Sequence, residues 1–289
     1  MKKNSIKHFL SVLLLVLFGL SYAQDDLLSE IDSAKTTSEK VTTEFKALKI
    51  VNLPSTKMAA KKELYFLVSH RFGDISQGLD NFFGLDNAIT NISFAYGVTD
   101  WLTLEASRST YQKTYDISAK YKLLTQKTSG MPVNLVGYND VTINSALDPS
   151  INPNFKDFNQ RLTFTNQILI SRKFSDRLTL ELAPTHIHQN YINKQLEVND
   201  QFGVGIGGRF KITKRFSVNA EFVKKLVDPN FKEYLDPISL GFDLETGGHV
   251  FQLLFTNSQP MNAGAYINNV NGNWATGKLF FGFNMYRSF

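Results

Sequence analysis

Residues 278–289 read K-L-F-F-G-F-N-M-Y-R-S-F and carry the sequence to an aromatic end. Leu279, Phe281, Phe283, Met285 and Phe289 fall on one face of a strand, and Lys278, Gly282, Asn284, Tyr286 and Ser288 on the other. This period of two marks a β-strand with one apolar face. That face must meet either a protein core or lipid.

The same alternation recurs upstream. Twelve candidate strands are read at 62–72, 88–98, 101–109, 115–124, 133–143, 161–173, 177–185, 202–212, 216–224, 238–244, 250–257 and 278–289. In the eighth, Phe202, Val204, Ile206, Phe210 and Ile212 oppose Gln201, Gly203, Gly205, Gly207, Arg209 and Lys211. The fifth and sixth alternate less regularly. A soluble barrel buries its apolar face, whereas a membrane barrel turns it to lipid. The connections separate the two. Tight turns at 99–100, 175–176, 213–214 and 246–248 alternate with long links such as 73–87, 144–160, 187–201, 225–237 and 258–277. Transmembrane barrels pair short periplasmic turns with longer outer loops. The expected fold is therefore an all-β, transmembrane, antiparallel up-and-down barrel over residues 62–289. Twelve strands fit best, and ten or fourteen also fit. An apolar last strand ending at Phe289 resembles outer-membrane barrels, whose assembly machinery recognises it; Arg287 departs from the apolar residue usual at its position.

The N-terminus agrees. Lys2, Lys3 and Lys7 precede the apolar run 9–20, and Ser21-Tyr22-Ala23 has the small-x-small form of a signal-peptide cleavage site. Residues 1–23 are thus read as a leader for export to the outer membrane of a Gram-negative cell. Losing its three lysines reduces the formal charge from +5 to +2, and no basic run remains to support nucleic-acid binding. The absence of cysteine excludes a lipidated N-terminus, a disulfide framework and haem attachment. Abundant aromatics, 24 Phe and 11 Tyr among them, suit a lipid-facing band and interfacial girdles. Residues 24–61 stand apart as either a periplasmic linker or a plug that folds into the lumen.

Several segments carry a family resemblance: F-K-A-L-K-I-V-N (45–52), S-H-R-F-G (69–73), F-F-G-L-D-N-A (82–88), Y-G-V-T-D-W-L (96–102), R-S-T-Y-Q-K-T-Y-D (108–116) and Y-K-L-L (121–124). Together they resemble a domain-of-unknown-function family of outer-membrane β-barrels from Bacteroidota-type bacteria, over about residue 45 to the C-terminus. The resemblance implies a barrel and its location. It implies no substrate, cofactor or catalytic residue, and no cofactor is expected.

The polar strand faces hold the candidate lumen-lining charges. Glu105, Glu181 and Glu221 recur on three strands; Asp116, Lys120 and Lys122 line the fourth, Arg209 and Lys211 the eighth, and Asp243 the tenth. Two readings stay open: a salt-bridge network that fills a closed barrel, or a pore lining whose charges tune selectivity. The mixed signs argue against strong ion selectivity. Inward glycines of the eighth strand are read as room for a neighbouring side chain or a plug. Arg71, with Asp74, Asp80 and Asp86 nearby in sequence, is expected to anchor the first long loop. His186 and His188 form a His-x-His pair that lacks the third and fourth ligands of a metal site; an ordinary polar rim is the expectation.

The expected function is passive or gated passage of a small solute. The alternative is a closed barrel that displays its loops or docks periplasmic partners. An outer-membrane hydrolase is a distant third, because the His-x-His lacks a Ser two residues on and Pro184 interrupts the strand. Expected partners are outer-membrane lipid, the assembly machinery, and a small solute or periplasmic partner.

Overall fold

Period-two stretches with no interior helix signal form strands, and strands in lipid must close on themselves because an open edge would leave backbone groups unpaired. The computed structural model describes residues 39–289 apart from 42–44, 149, 151–154, 156, 193–196 and 227–234. Residues 1–38, which include the stretch read as a leader, lie outside the described residues.

The strands are β1 (Leu64–Asp74), β2 (Ile89–Thr99), β3 (Leu102–Ser109), β4 (Thr114–Leu124), β5 (Asn134–Asn144), β6 (Leu162–Lys173), β7 (Leu178–Gln189), β8 (Asp200–Lys211), β9 (Phe216–Lys225), β10 (Ile238–Thr246), β11 (His249–Thr256) and β12 (Phe280–Ser288). Each pairs antiparallel with its sequence neighbours, and β12 closes the twelve-stranded barrel on β1. The closing register sets Tyr65 opposite Ser288, Val68 opposite Met285 and Arg71 opposite Gly282. Strands of this length match the ~9–11 residues a tilted membrane strand needs.

The expected twelve strands are all present, with ends shifted by a residue or two, except that β7 runs through Pro184, which was expected to interrupt it, and ends four residues later than expected, at Gln189. The last begins at Phe280, because Lys278 instead forms an isolated bridge with Asn273. Arg287, the departure from the terminal-strand pattern, faces outward and places its guanidinium 4.7 Å from the Phe289 ring centre. Turns such as Gly247-Gly248, with Gly248 at φ 96°, join strands at one end. The long links gather at the other. Both ends of the barrel sequence meet at the short-turn end, where Leu64 and Phe289 exchange backbone hydrogen bonds.

The outer wall carries exposed Phe94, Leu104, Ile117, Ile168, Phe202, Ile206, Phe210, Phe251 and Leu253. The lumen also holds apolar residues, however. Tyr65, Leu67, Val136, Tyr138, Leu169, Ile187, Val223, Leu254 and Tyr286 are all buried, and they are in contact with chain that enters the barrel. All four buried apolar clusters of the described residues contain residues from segment 45–59.

Candidate functional site: the occupied lumen

Two segments occupy the lumen. The first enters from the short-turn end, where Lys40 bridges to Lys127 and Val41 N–H donates to the Gln126 carbonyl at 3.0 Å. It reverses at a tip closed by Ile50 N–H to the Leu53 carbonyl (2.8 Å) and Ser55 N–H to the Leu48 carbonyl (3.0 Å), with Pro54 in the return arm. It leaves the barrel across Gly97, where Lys62 N–H donates to the Gly97 carbonyl at 2.7 Å. A Cβ on Gly97 would sit 1.8 Å from the Ala60 carbonyl oxygen, so only glycine lets the strap pass there. Within 24–61 the described residues are 39–41 and 45–61, and of these 45–59 contribute to all four buried apolar clusters.

A buried backbone loop needs partners for its N–H and C=O groups, and the wall supplies charged ones. The Glu221 carboxylate accepts three successive amides: Val51 N–H at 3.0 Å, Asn52 N–H at 2.8 Å and Leu53 N–H at 3.0 Å. Successive N–H groups converging on one anion form a nest. Glu181 accepts the Thr56 amide at 2.8 Å. Lys120 donates to the carbonyls of Leu48 and Ser55 at 2.5 and 2.9 Å. Gln252 reaches the Ile50 carbonyl at 2.7 Å, and Asn284 the Val51 carbonyl at 2.9 Å. Hydrogen bonds to charged groups contribute about 1.5–3 kcal/mol each, so Glu221, Glu181 and Lys120 dominate the tether.

Arg71 differs from expectation. Its side chain is 1% exposed and donates to Asn52 Oδ1 at 2.8 Å and Asn284 Oδ1 at 3.0 Å. It holds the insert tip, not the loop carboxylates of Asp74, Asp80 or Asp86. The reason is strand phase: residue 71 shares the inward face with Ser69 and Leu67. Asp74 instead caps the following turn by accepting the Ser76 amide at 2.9 Å.

The other candidate charges all lie on inward strand faces. Asp116 accepts from Ser107 at 2.9 Å and Thr142 at 2.7 Å, and the same Thr142 hydroxyl lies 3.0 Å from Asp140. Glu105 is half-buried beside them in register. Asp243 accepts from Gln252 at 2.6 Å. Arg209 pairs with Glu245 and donates to Ser217, and Lys211 is half-buried beside the short turn. Lys122 lines a cavity of about 250 Å³ at the short-turn mouth, together with Lys57, Met58 and Asn134. Sequence reasoning missed Asp140, which lies in the less regularly alternating fifth strand, and Asn52, Gln252 and Asn284, since neutral amides carry no distinguishing signal.

Gly205 and Gly207 of β8 make the room that was expected of that strand's inward glycines, and Gly241 of β10 does the same without having been singled out. Added Cβ atoms would come within 2.9 Å of Leu53 at Gly205, 2.7 Å of Ile50 at Gly207 and 3.0 Å of Val51 at Gly241.

The second segment comes from the long β11–β12 link. Residues 258–268 are buried and include the short helix α1 (Ala263–Asn268), capped by Asn262. Tyr266 lies against Leu53, Ile187 and Val223, and its hydroxyl is 3.1 Å from Ser239. Ser258 donates to the Tyr266 carbonyl at 2.7 Å, and Gln259 reaches the Asn87 carbonyl at 2.7 Å. Nothing in the sequence separated this stretch from an ordinary outer loop.

His186 and His188 face outward. Both lie on the same oxygen of Asp200, at 2.9 and 2.8 Å, beside Phe202 and Phe164. Among the described residues, no group of three or more His, Cys, Asp or Glu is arranged to hold a metal ion.

Solved structures similar to this chain include the NanC porin, with 9% identity and a TM-score of 0.49, covering 78% of this chain and 98% of that one. The KdgM porin has 7% identity and a TM-score of 0.46 over 78% and 99%. An outer membrane channel from Pseudomonas putida F1 has 10% identity and a TM-score of 0.45 over 81% and 97%. No curated protein matches the sequence significantly. A family model described as a membrane bound beta barrel domain matches residues 45–289, so the match includes the luminal insert as well as every strand. The chain belongs to this family of membrane-bound β-barrels, DUF5777.

Proposed function

We propose that the protein is an outer-membrane barrel for passage of a small solute, held shut at rest by residues 45–60. The observation that carries this reading is the Glu221 nest at the insert tip, supported by Glu181, Lys120 and Arg71. A polar, hydrogen-bonded tether can exchange its partners for water. A permanently filled lumen would be served more simply by apolar side chains, since replacing buried charges with packed hydrophobic groups is often neutral or stabilising. The insert also enters and leaves at the short-turn end, so it can withdraw without unthreading the barrel. Short turns are periplasmic in such barrels, which supports access to the tether from the periplasmic side.

A second reading, a closed barrel that displays loops or docks partners, draws support from the second luminal segment, whose helix α1 packs on the insert. Planar-bilayer conductance of the full chain beside a version lacking residues 45–60 separates them. Conductance appearing on truncation supports the gated channel. Silence in both folded proteins favours the closed barrel. Export through a leader ending near Ala23, recognition of the strand ending at Phe289 by the assembly machinery, and a Bacteroidota-type source belong to the same proposal. Mass measurement of the mature protein tests the leader.

A further inference from the structure

We infer that the solute accepted by this lumen, once the insert withdraws, is cationic. The inference rests on the channel reading above and adds the charge class of its cargo. Residues 45–60 contain Lys46, Lys49 and Lys57 and no acid. The insert is therefore a +3 polypeptide lodged in the permeation path, and its contacts report what the wall favours.

One lysine meets a carboxylate directly: Lys46 Nζ is 3.4 Å from Glu245. Lys49 Nζ donates to the Met261 carbonyl at 3.4 Å, with Asp116 and Asp140 within electrostatic reach, and Lys57 lies at the mouth near both Glu63 and Lys122. Two further carboxylates, Glu221 and Glu181, take backbone N–H groups from the insert. Lys120 and Arg71 bring positive charge to the insert by hydrogen bonds to carbonyl and amide oxygens, and Lys122 lies beside Lys57 at the short-turn mouth. Of the other inward bases, Arg209 is paired with Glu245, Lys211 borders a short turn, and Lys225 sits at the opposite, long-link end of β9.

Withdrawal of the insert removes three positive charges from a lumen whose acids they offset. Asp116, Asp140, Glu181 and Glu221 then line a narrow aqueous path with two bases among them. Low-dielectric walls strengthen that field, and rings of Asp and Glu side chains favour cations in channels.

The test is the reversal potential of the barrel lacking residues 45–60, measured in a KCl gradient. The expected result is preference for K⁺ over Cl⁻ by about threefold or more, falling toward unity in the same barrel carrying Glu181→Gln and Glu221→Gln. Conductance with no preference, or with preference for Cl⁻, overturns this inference and leaves the channel reading standing. A folded truncated barrel that does not conduct removes both. Should the truncated chain fail to fold, the full chain with a protease site at residues 61–62 is folded intact, cut, and washed until mass spectrometry shows loss of the insert. The same potentials are then read from the cut barrel.

Discussion

The lumen holds two inserts of opposite construction. Residues 45–60 carry three lysines and are held by charged side chains of the wall. Residues 258–277 contain no charged residue at all and are held by neutral hydrogen bonds, such as Ser258 to the Tyr266 carbonyl and Asn269 to Tyr111. The first has both arms at the short-turn mouth: one continues into β1, and the other is held to residues 126–128 by backbone hydrogen bonds. The second is anchored covalently at both ends, to β11 and β12. Both are packed in apolar clusters, so the difference lies in their polar contacts. Neutral bonds suit a fixed filler, and charge-assisted bonds that water can replace suit something that leaves and returns.

Four substitutions test this contrast. The largest effect is expected from Glu221→Ala, which strands the buried amides of Val51, Asn52 and Leu53. Each buried amide left unsatisfied costs about 1–3 kcal/mol, to be read by urea unfolding in micelles, and channel openings should appear in the full chain. Unchanged stability with a silent bilayer would show that the nest does not hold the insert. Gly97→Ala comes next. Its Cβ would collide with the Ala60 carbonyl, so the strap must shift at a cost of roughly 1–3 kcal/mol. Faster proteolysis near Lys61-Lys62 is expected, and an unaltered cleavage rate would count against the strap as the insert's fixed exit.

Tyr266→Phe probes the other insert. It removes a neutral hydrogen bond to Ser239 and should lower stability by about 1 kcal/mol without opening a conductance. Openings in this variant would erase the distinction between the two segments. The smallest effect is expected outside the lumen. His186→Ala breaks one contact to Asp200 on the outer wall and should change stability by no more than ~0.5 kcal/mol. It should leave conductance unaltered; a large change would mean that the outer His-Asp-His cluster is coupled to the lumen.

The strands were legible because lipid on one side and polar contacts on the other force a period of two, and β8 shows it residue by residue. Where that period blurs, the blur has a cause. Val136 and Tyr138 of β5 and Leu169 of β6 are apolar residues on inward positions, and they face Met58 of the insert and Ala263 of α1. Irregular alternation in these two strands was thus a trace of the plug that could not be interpreted without the partner surface. Arg71 shows the same limit. Three nearby acids in sequence suggested a loop anchor, but strand phase sends the side chain inward to Asn52.

The sequence by itself determined the barrel, favoured twelve strands over ten or fourteen, and set the inward placement of Glu105, Asp116, Lys120, Lys122, Glu181, Arg209, Lys211, Glu221 and Asp243, because side-chain direction in a strand follows parity alone. Only the tertiary structure decided what those residues touch. Glu221 and Val51 are 170 positions apart, and no local pattern records which of many luminal carboxylates will meet a given amide. That choice is made by the depth to which residues 45–60 enter, by the glycines that clear space for Ile50, Val51 and Leu53, and by the need to satisfy every buried backbone group at once.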